Sequence, residues 1–517
     1  MAYLNCKTTK RIEEYIFYAL ILSIPFTDFS IKIPFVGYYL PHLFILLGIV
    51  TISFEYLQHG FRLSKLEKHF LVFGGIAFIW YFICDIYGFI SYPFGPLSHW
   101  ADLKEVLVLQ NHFGNIFSSD QNLIYKIAVP LYFIRMSFFD CLYTFGASFF
   151  VIHIYHNHSG KGFKVLKKGI IILVSLIILD SLIELPALMG NDTFQFLLSI
   201  INRHIMAINH VGGYWPPMFW MLQVRSIFAE PSFFGLGVAV IFPVLLYWSI
   251  YYSRKSQIFD ISFAIVLIYS LLAFCTRSRT TVLLVIAETC LFFISLYLTK
   301  VLTCRNFSKI IFSILLAFLI SLPLASTFVG TWYGETNKKN SITSMASTYV
   351  EDNITSVVNK SNGGQKRSNS IRTALNIAYL RVGMEHPVFG VGITMTPYYI
   401  DSNLTEADLE LGEIAGYHKD LLEKGDRKAG FPILNYFAYQ FATYGLIGLM
   451  LYLLPILYIL YNAFKKVKMV TLEEDTLLIA LVGSLASCFS NAPLVSMYIV
   501  IGLLICFVYS RNIEECV

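Results

Sequence analysis

Charged residues are scarce in this sequence: they make up 14% of its 517 residues, whereas hydrophobic residues make up 56%. The mean hydropathy of +0.64 is far above that of a soluble protein. Several apolar runs reach the roughly 20 residues that are needed to cross a bilayer core. Because these runs are continuous rather than alternating, we predict an all-α polytopic membrane protein. The net charge of +5 is modest and gives no indication of nucleic-acid binding.

Several signatures of known chemistry are missing as well. The 9 cysteines are scattered, without the spacing of a metal or redox site. The sequence has no His/Cys cluster, no Asp-x-Asp motif, no Walker motif and no internal repeat. We therefore expect chemistry that uses no metal, no cofactor and no ATP.

The apolar runs predict about twelve membrane-spanning helices by the length rule. The last two spans are one apolar stretch that is broken by Ser487, Ser490, Asn491 and Pro493. The predicted spans are roughly 13–31, 37–57, 69–91, 128–154, 169–188, 232–252, 260–275, 281–299, 309–328, 432–461, 475–490 and 492–510.

Basic residues fall on every second connection between these spans, which predicts their cytoplasmic side and places both termini there. The clusters are Lys7/Lys10/Arg11, Arg62/Lys65/Lys68, Lys161/Lys164/Lys167/Lys168, Arg254/Lys255, Lys300/Arg305/Lys309, Lys465/Lys466/Lys468 and Arg511.

Three regions follow from this topology. Residues 1–328 hold helices 1–9 with an external segment at 189–231, residues 329–431 form a large external loop, and residues 432–517 hold helices 10–12. A loop of that length is functional or partly folded. Within it we predict a helix over 373–385 and a mobile polar stretch over 350–365.

The stretch from Arg225 to Gly235 combines a cation, a carboxylate and a helix start at the mouth of an apolar run. Pro231 suits the first turn of a helix, and Glu230 is a candidate cap or catalytic base. The helix dipole there favours an anion on the external side. The alternative is a simple cap with an interfacial arginine that reaches the headgroups.

A tight external turn, Thr276-Arg-Ser-Arg-Thr280, joins two spans with almost no loop. Arg277 and Arg279 run against the preference for basic residues inside the cell. Arginine binds phosphate through paired hydrogen bonds, so two neighbouring arginines suit a pyrophosphate. The alternative is a turn that anchors the protein to lipid headgroups.

The third constellation comprises Arg372, a helix, and His386 followed by Gly390 and Gly392. The glycines allow a close backbone approach to a ligand. His386 is a candidate acid or base, or else only a helix cap. His418 is a further candidate.

Charged residues inside predicted spans are hypotheses for function by default. Arg135 lies near the external end of its span. For Asp140 and Glu288 we favour ion pairing within the helix bundle. The remaining charges of this kind are Asp85, Asp180 and Glu184, the last two sharing a helix face.

Taken together, these motifs resemble those of bacterial O-antigen polymerases and the related O-antigen ligases. The resemblance covers roughly 220–450 by motif and the first 200 residues only by span pattern. It is carried by Arg225-x4-Glu-Pro-Ser232-x2-Gly235, Ser278-Arg-Thr280, Arg372, His386-Pro-Val-Phe-Gly-Val-Gly392, Asn435 and Tyr444-Gly-Leu-Ile-Gly448.

The resemblance implies a GT-C-like membrane glycosyltransferase of the bacterial inner membrane, whose donor is a glycan on undecaprenyl pyrophosphate at the periplasmic face. A polymerase transfers the growing glycan to a new lipid-linked repeat unit, and a chain-length regulator is a candidate partner. The predicted pyrophosphate ligands are Arg225, Arg277, Arg279 and Arg372. Candidates for the catalytic acid or base are Glu230, His418 and His386, with Arg135, Ser232 and Asn435 as further site residues.

Two alternatives remain. Ligases, which transfer the glycan to the lipid A core, usually carry a His-Asn pair late in the chain, but here Leu434 precedes Asn435. A flippase for the same lipid would need charges along a central pathway and related halves. The sequence favours the polymerase over both.

Overall fold

The computed structural model describes residues 6–34, 36–60, 63–93, 103–113, 121–205, 222–253, 261–328, 331–332, 335–336, 364–424, 430–466 and 469–514. Its helices are, in chain order, α1 Cys6–Leu22, α2 Leu40–His59, α3 Lys65–Ile90, α4 Lys104–Phe113, α5 Gln121–Cys141, α6 Ala147–Tyr155, α7 Ser159–Leu188, α8 Asp192–Ile205, α9 Pro231–Ser253, α10 Ile261–Cys275, α11 Arg279–Leu298, α12 Cys304–Ser326, α13 Gly364–Glu385, α14 Thr396–Ser402, α15 Glu406–Leu409, α16 Gly412–Lys424, α17 Tyr436–Lys465, α18 Leu472–Ser487 and α19 Val495–Glu514.

The prediction of a polytopic helical membrane protein is confirmed. Within the described residues, 8 helical segments are long and apolar enough to cross a membrane, and two shorter apolar helices, Ile261–Cys275 and Val495–Arg511, accompany them. Every predicted span overlaps a helix, but α1 ends at Leu22, well before the predicted end at 31, and neither α1 nor α18 is among the apolar helices just described. The fourth span is a composite, because a π-helical turn at Leu142–Gly146 joins α5 to α6.

Helix α9 lies at the centre of the bundle, because most of its length is buried and it packs against α10, α11 and α18. Its sequence from Leu236 to Leu246 is apolar on every side, as expected for a helix that is surrounded by other helices.

The predicted break between the last two spans is also confirmed, since α18 ends at Ser487 and α19 begins at Val495.

Residues 329–431, predicted to form an external loop, contain more structure than their sequence predicts. Helix α13 ends at Glu385, as predicted before His386-Pro387, but it begins at Gly364 instead of residue 373. The short helices α14, α15 and α16 follow it, and Thr331–Trp332 pairs with Glu335–Thr336 as a small antiparallel ribbon. Helices α4 and α8 were also not predicted.

Some predictions lie outside the described residues. They concern most of the polar stretch 350–365, part of the external segment 189–231, and the basic residues Arg62, Arg254, Lys255 and Lys468.

Candidate functional site

The start of α9 has the geometry that its sequence predicts. Pro231 opens the helix, and the backbone N–H groups of Phe233 and Phe234 donate to the carbonyl oxygen of Glu230. The Ser232 hydroxyl donates to Glu230 Oε2 over 3.0 Å. Burial raises the pKa of the Glu230 carboxyl, while this hydrogen bond and the charge of Arg225 oppose the rise. A carboxyl group with a raised pKa is suited to take up a proton near neutral pH.

Arg225 is fully buried and lies among carboxylates. The backbone N–H groups of Arg225 and Ser226 donate to the two carboxylate oxygens of Glu184, over 3.1 and 2.9 Å. Burial lowers the pKa of the guanidinium, and the charges of Glu184, Asp180 and Glu230 counteract this. Arg225 is therefore part of a charge cluster within the protein, next to Glu230. Its predicted role as a pyrophosphate ligand stays a prediction.

The turn before α11 lies directly against the start of α9. A Cβ atom on Gly235 would lie 2.5 Å from Thr281 Oγ1, so only a glycine fits between the two helix starts. The Val224 N–H also donates to the Cys275 carbonyl over 3.2 Å. Two helix N-termini, each with a positive dipole end, thus lie side by side.

Within that turn Arg277 has a left-handed backbone with φ of 53°. The Thr276 hydroxyl accepts a hydrogen bond from the Ser278 N–H over 3.2 Å and donates to Thr281 over 3.3 Å. These bonds hold the turn that carries the two arginines. The salt bridges found among the described residues include none to Arg277.

Arg372, on α13, lies close to the turn that carries Arg277 and Arg279. Its Nη1 donates to the carbonyl oxygen of Ser490 over 3.0 Å, and the hydroxyl of Ser490 lies 3.3 Å from that of Thr280. Burial lowers the pKa of Arg372, and the neighbouring charge of Arg279 lowers it further. The structure therefore brings together two arginines that are far apart in the sequence. Ser490 was identified only as part of a helix break, and its contacts with both motifs could not be read from that pattern.

Asn435 lies immediately before α17, close to the 488–491 turn that contains Ser490. Its side-chain oxygen accepts hydrogen bonds from the N–H groups of Phe437 and Ala438, each over 3.1 Å, so it caps the helix. The Tyr436 N–H donates to the Cys488 carbonyl over 2.7 Å, which fixes the start of α17 beside the 488–491 turn. The Asn435 cap therefore supports the start of α17 next to the turn that contains Ser490.

The glycines that follow His386 approach protein backbone, so the expected close approach to a ligand is wrong. Gly390 and Gly392 have φ of 62° and 74°. A Cβ atom on Gly390 would lie 2.6 Å from the Ala442 carbonyl oxygen, and one on Gly392 would lie 2.3 Å from Asp85 Cα. The segment that contains Gly390 and Gly392 lies between α3 and the kink that α17 makes at Gly445. Its close packing there requires glycine at both positions.

Polar contacts hold that segment in place. Asp85 accepts hydrogen bonds from the backbone and hydroxyl of Thr394, over 3.0 and 2.7 Å, and from Ser137 over 2.8 Å. His386 Nδ1 lies 3.2 Å from the hydroxyl of Tyr87, and burial lowers the pKa of His386 against the charge of Glu385. His386 thus contacts α3 through Tyr87.

His418 forms a pair that the sequence analysis missed, because its partner lies on another helix. Its Nδ1 is 2.6 Å from Asp401 Oδ1. Burial raises the pKa of Asp401, and the hydrogen bond and charge of His418 lower it again. An imidazole oriented by a carboxylate is a common arrangement for a general base.

The charged residues of the spans differ in their surroundings, and the ion pairs that we expected for Asp140 and Glu288 are not found among the described residues. Arg135 forms a salt bridge with Glu105 over 2.7 Å and lies over the ring of Tyr132. Asp140 accepts a hydrogen bond from the Tyr444 hydroxyl over 2.6 Å, so the ion pair that we expected for it is replaced by a phenol. Glu288 is fully buried, and within the described part of the chain its carboxylate oxygens have no hydrogen-bond partner.

We define the arginine end of the bundle as the region formed by Glu230, Arg277, Arg279, Arg372 and Ser490. Comparison with known proteins bears on this region directly. A search of curated protein sequences found no match. A family model described as O-antigen ligase matches residues 264–453, which include Arg277, Arg279 and Arg372. That match confirms the resemblance to the O-antigen polymerase/ligase superfamily over residues 264–453.

Proposed function

We propose that this protein is a membrane glycosyltransferase of the polymerase type, which transfers a growing glycan from undecaprenyl pyrophosphate to a new lipid-linked repeat unit. The observation that carries the proposal is that Ser490 contacts both Arg372 and Thr280, the neighbour of Arg279, beside the two helix starts that meet at Gly235. Two arginines held close together repel each other. A pyrophosphate bound between them would relieve the repulsion and would accept paired hydrogen bonds.

In this proposal Arg277, Arg279 and Arg372 bind the pyrophosphate, and the dipoles of α9 and α11 add to their field. The arginines stabilise the charge that develops on the phosphate oxygen as its bond to the anomeric carbon breaks and undecaprenyl pyrophosphate leaves. Arg225 keeps Glu230 in place through its charge. An acceptor hydroxyl loses its proton to Glu230 and attacks the anomeric carbon from the opposite side, which inverts its configuration.

The Asp401–His418 pair is the second candidate for the base. It is favoured by its geometry, because the 2.6 Å contact orients the imidazole. It lies on α14 and α16 in the external loop, where an acceptor glycan would enter. Variants of Glu230 and His418 therefore need to be compared in the same assay.

The proposed setting is the bacterial inner membrane. Both termini face the cytoplasm, and the arginine end faces the periplasm. Lys161, whose side chain pairs with Glu14, lies at the opposite end of α7 from Glu184, in keeping with the predicted basic cytoplasmic side. A GT-C relationship and a chain-length regulator remain parts of this proposal.

The test is polymerisation of a purified lipid-linked repeat unit by the purified protein. We expect a ladder of products with the wild type and none with Arg277→Ala or Arg279→Ala at equal protein level. A ladder of normal length from both variants would contradict the assignment. Movement of the lipid across a vesicle membrane without any ladder would indicate a flippase instead.

The alternative within the superfamily is a ligase, because the matching family model, described as O-antigen ligase, does not separate the two activities. A strain that lacks the gene separates the two. Loss of a polymerase leaves lipid A core that bears one repeat unit, whereas loss of a ligase leaves core that bears none. We expect the single repeat unit.

A further inference from the structure

A second cluster of titratable side chains lies at the other end of the bundle. Three helix ends and α1 contribute to it: Glu55 near the end of α2, Glu67 near the start of α3, His153 near the end of α6, and Glu13 on α1. Helix α7 begins at Ser159, beside this cluster, and 25 positions later it carries Glu184, which accepts hydrogen bonds from Arg225 and Ser226 next to the arginine end. At 1.5 Å per residue that separation is about 38 Å, so the two clusters are independent.

The distances within the cluster are those of metal ligands. His153 Nε2 is 3.2 Å from Glu55 Oε2 and 3.5 Å from Glu13 Oε1. Bonds of about 2.0–2.2 Å to Zn²⁺ place neighbouring ligands of a tetrahedral ion about 3.4 Å apart. One donor atom from each of these residues lies within 4.8 Å of the others. The three atoms could thus surround one ion with little rearrangement.

The other ring nitrogen of His153 has the partner that a metal-bound histidine usually has. Its Nδ1 is 2.6 Å from Glu67 Oε1, which also accepts a hydrogen bond from the Tyr56 hydroxyl over 3.0 Å. A carboxylate in this position fixes the tautomer that carries its proton on Nδ1, so that Nε2 is free to bind a metal. Glu67 is itself held by the N–H of Ser64 over 2.6 Å.

The charges of these side chains also favour a bound metal ion. Glu13 is only 2% exposed, and its Oε1 accepts no hydrogen bond from any residue that the structure describes. Glu67 is equally buried, and the two carboxylates share one imidazole with Glu55. Buried carboxylates are costly unless a cation offsets their charge. One imidazolium offsets one charge, whereas a divalent cation with a neutral imidazole offsets two.

We infer that Glu13, Glu55 and His153 form a binding site for a divalent transition-metal ion such as Zn²⁺, with Glu67 as the positioning residue of His153. Carboxylate and imidazole ligands together suit Zn²⁺ and Mn²⁺ more than Mg²⁺ or Ca²⁺. The ion would connect α1, α2 and α6 at one place, and α3 through Glu67. Its role would be structural, because the arginine end is far away.

The experiment is a zinc titration of the full-length protein in detergent after treatment with a chelator. We expect one zinc ion per chain by elemental analysis, and a rise in unfolding temperature when ZnCl₂ is added. Glu13→Gln and Glu55→Gln should weaken zinc binding at least tenfold, and Glu67→Gln should weaken it about 10- to 100-fold. Titration with MnCl₂ gives the selectivity.

Glu14→Gln is the matched control, because Glu14 neighbours Glu13 in sequence but pairs with Lys161 over 3.1 Å. This variant should bind zinc like the wild type. Absence of bound zinc from the wild-type protein would overturn the inference and leave an imidazolium bridge between the glutamates. Wild-type zinc affinity in Glu55→Gln would overturn it as well. Neither outcome depends on glycosyltransferase activity, so failure here leaves the proposed function intact.

Discussion

Arg372 donates a hydrogen bond from Nη1 to the carbonyl oxygen of Ser490, 3.0 Å away, and this bond connects α13 to the turn between α18 and α19. The hydroxyl of the same serine lies 3.3 Å from Thr280, beside Arg279. One residue of the helix break thus contacts both arginine-bearing segments. The relative position of the two arginines depends on this turn.

Arg372→Lys should therefore lower the polymerisation rate by about 10²-fold or more, because an ammonium cannot both donate to Ser490 and form paired bonds with phosphate. The measurement is the initial rate with a purified lipid-linked substrate. Arg381→Lys is the matched control, since Arg381 lies on the same helix and donates to the Asn403 carbonyl over 3.1 Å. Equal rates in the two variants would remove Arg372 from the site.

The sequence predicts much of this fold because its strongest signal is the length of apolar runs. Each predicted span overlaps a helix, and the break at 487–493 lies between α18 and α19. Predictions that are local in sequence, such as the helix start at Pro231, are also correct. Both kinds of feature depend on neighbouring residues alone.

Contacts between distant segments could not be predicted in the same way. Asp401 and Glu105 have no local pattern that marks them as partners of His418 and Arg135. The glutamates around His153 come from three other helices, so the search for a His/Cys cluster could not detect them. The glycines after His386 were interpreted as ligand contacts because sequence does not tell whether a close neighbour is ligand or protein.

Asp401→Asn should reduce the rate if His418 is the base, because the amide no longer holds the imidazole in one orientation. We expect a fall in kcat of about 10-fold or more with little change in KM. The double variant Asp401→Asn/His418→Gln should be no slower than His418→Gln alone, since the aspartate acts through the histidine. Additive losses in the double variant would show that the two residues act separately.

Gly392→Ala should destabilise the protein strongly. The new Cβ atom would lie 2.3 Å from Asp85 Cα, and the backbone φ of 74° is unfavourable for alanine. We expect a loss of roughly 3 kcal/mol or more in the free energy of unfolding, seen as a lower unfolding temperature in detergent.

Gly416→Ala provides the comparison, because Gly416 lies in helix α16 and nothing is within 4 Å of the position of its Cβ. This substitution should stabilise the helix slightly or have no effect, since alanine favours helical backbone more than glycine does. Similar unfolding temperatures for both variants would mean that the segment 386–392 does not pack between α3 and α17.

The role proposed for Glu230 as the base predicts how the rate depends on pH. As a base it acts as the carboxylate, so activity is lost as the pH falls through its pKa. Burial raises that pKa, and the hydrogen bond from Ser232 lowers it in part. Ser232→Ala removes the bond, so the pKa should rise further, and the acid limb of the rate profile should move to higher pH.

The variant Glu230→Gln completes this test, because it should reduce the rate about 10²- to 10⁴-fold and abolish the acid limb. Ser402→Ala is the control for the serine change: Ser402 also donates a hydrogen bond, to the Tyr399 carbonyl over 2.9 Å, but in the external loop. Its profile should match that of the wild type. An acid limb that stays in place in Ser232→Ala and persists in Glu230→Gln would assign the proton transfer to another residue, and His418 would then be the first to examine.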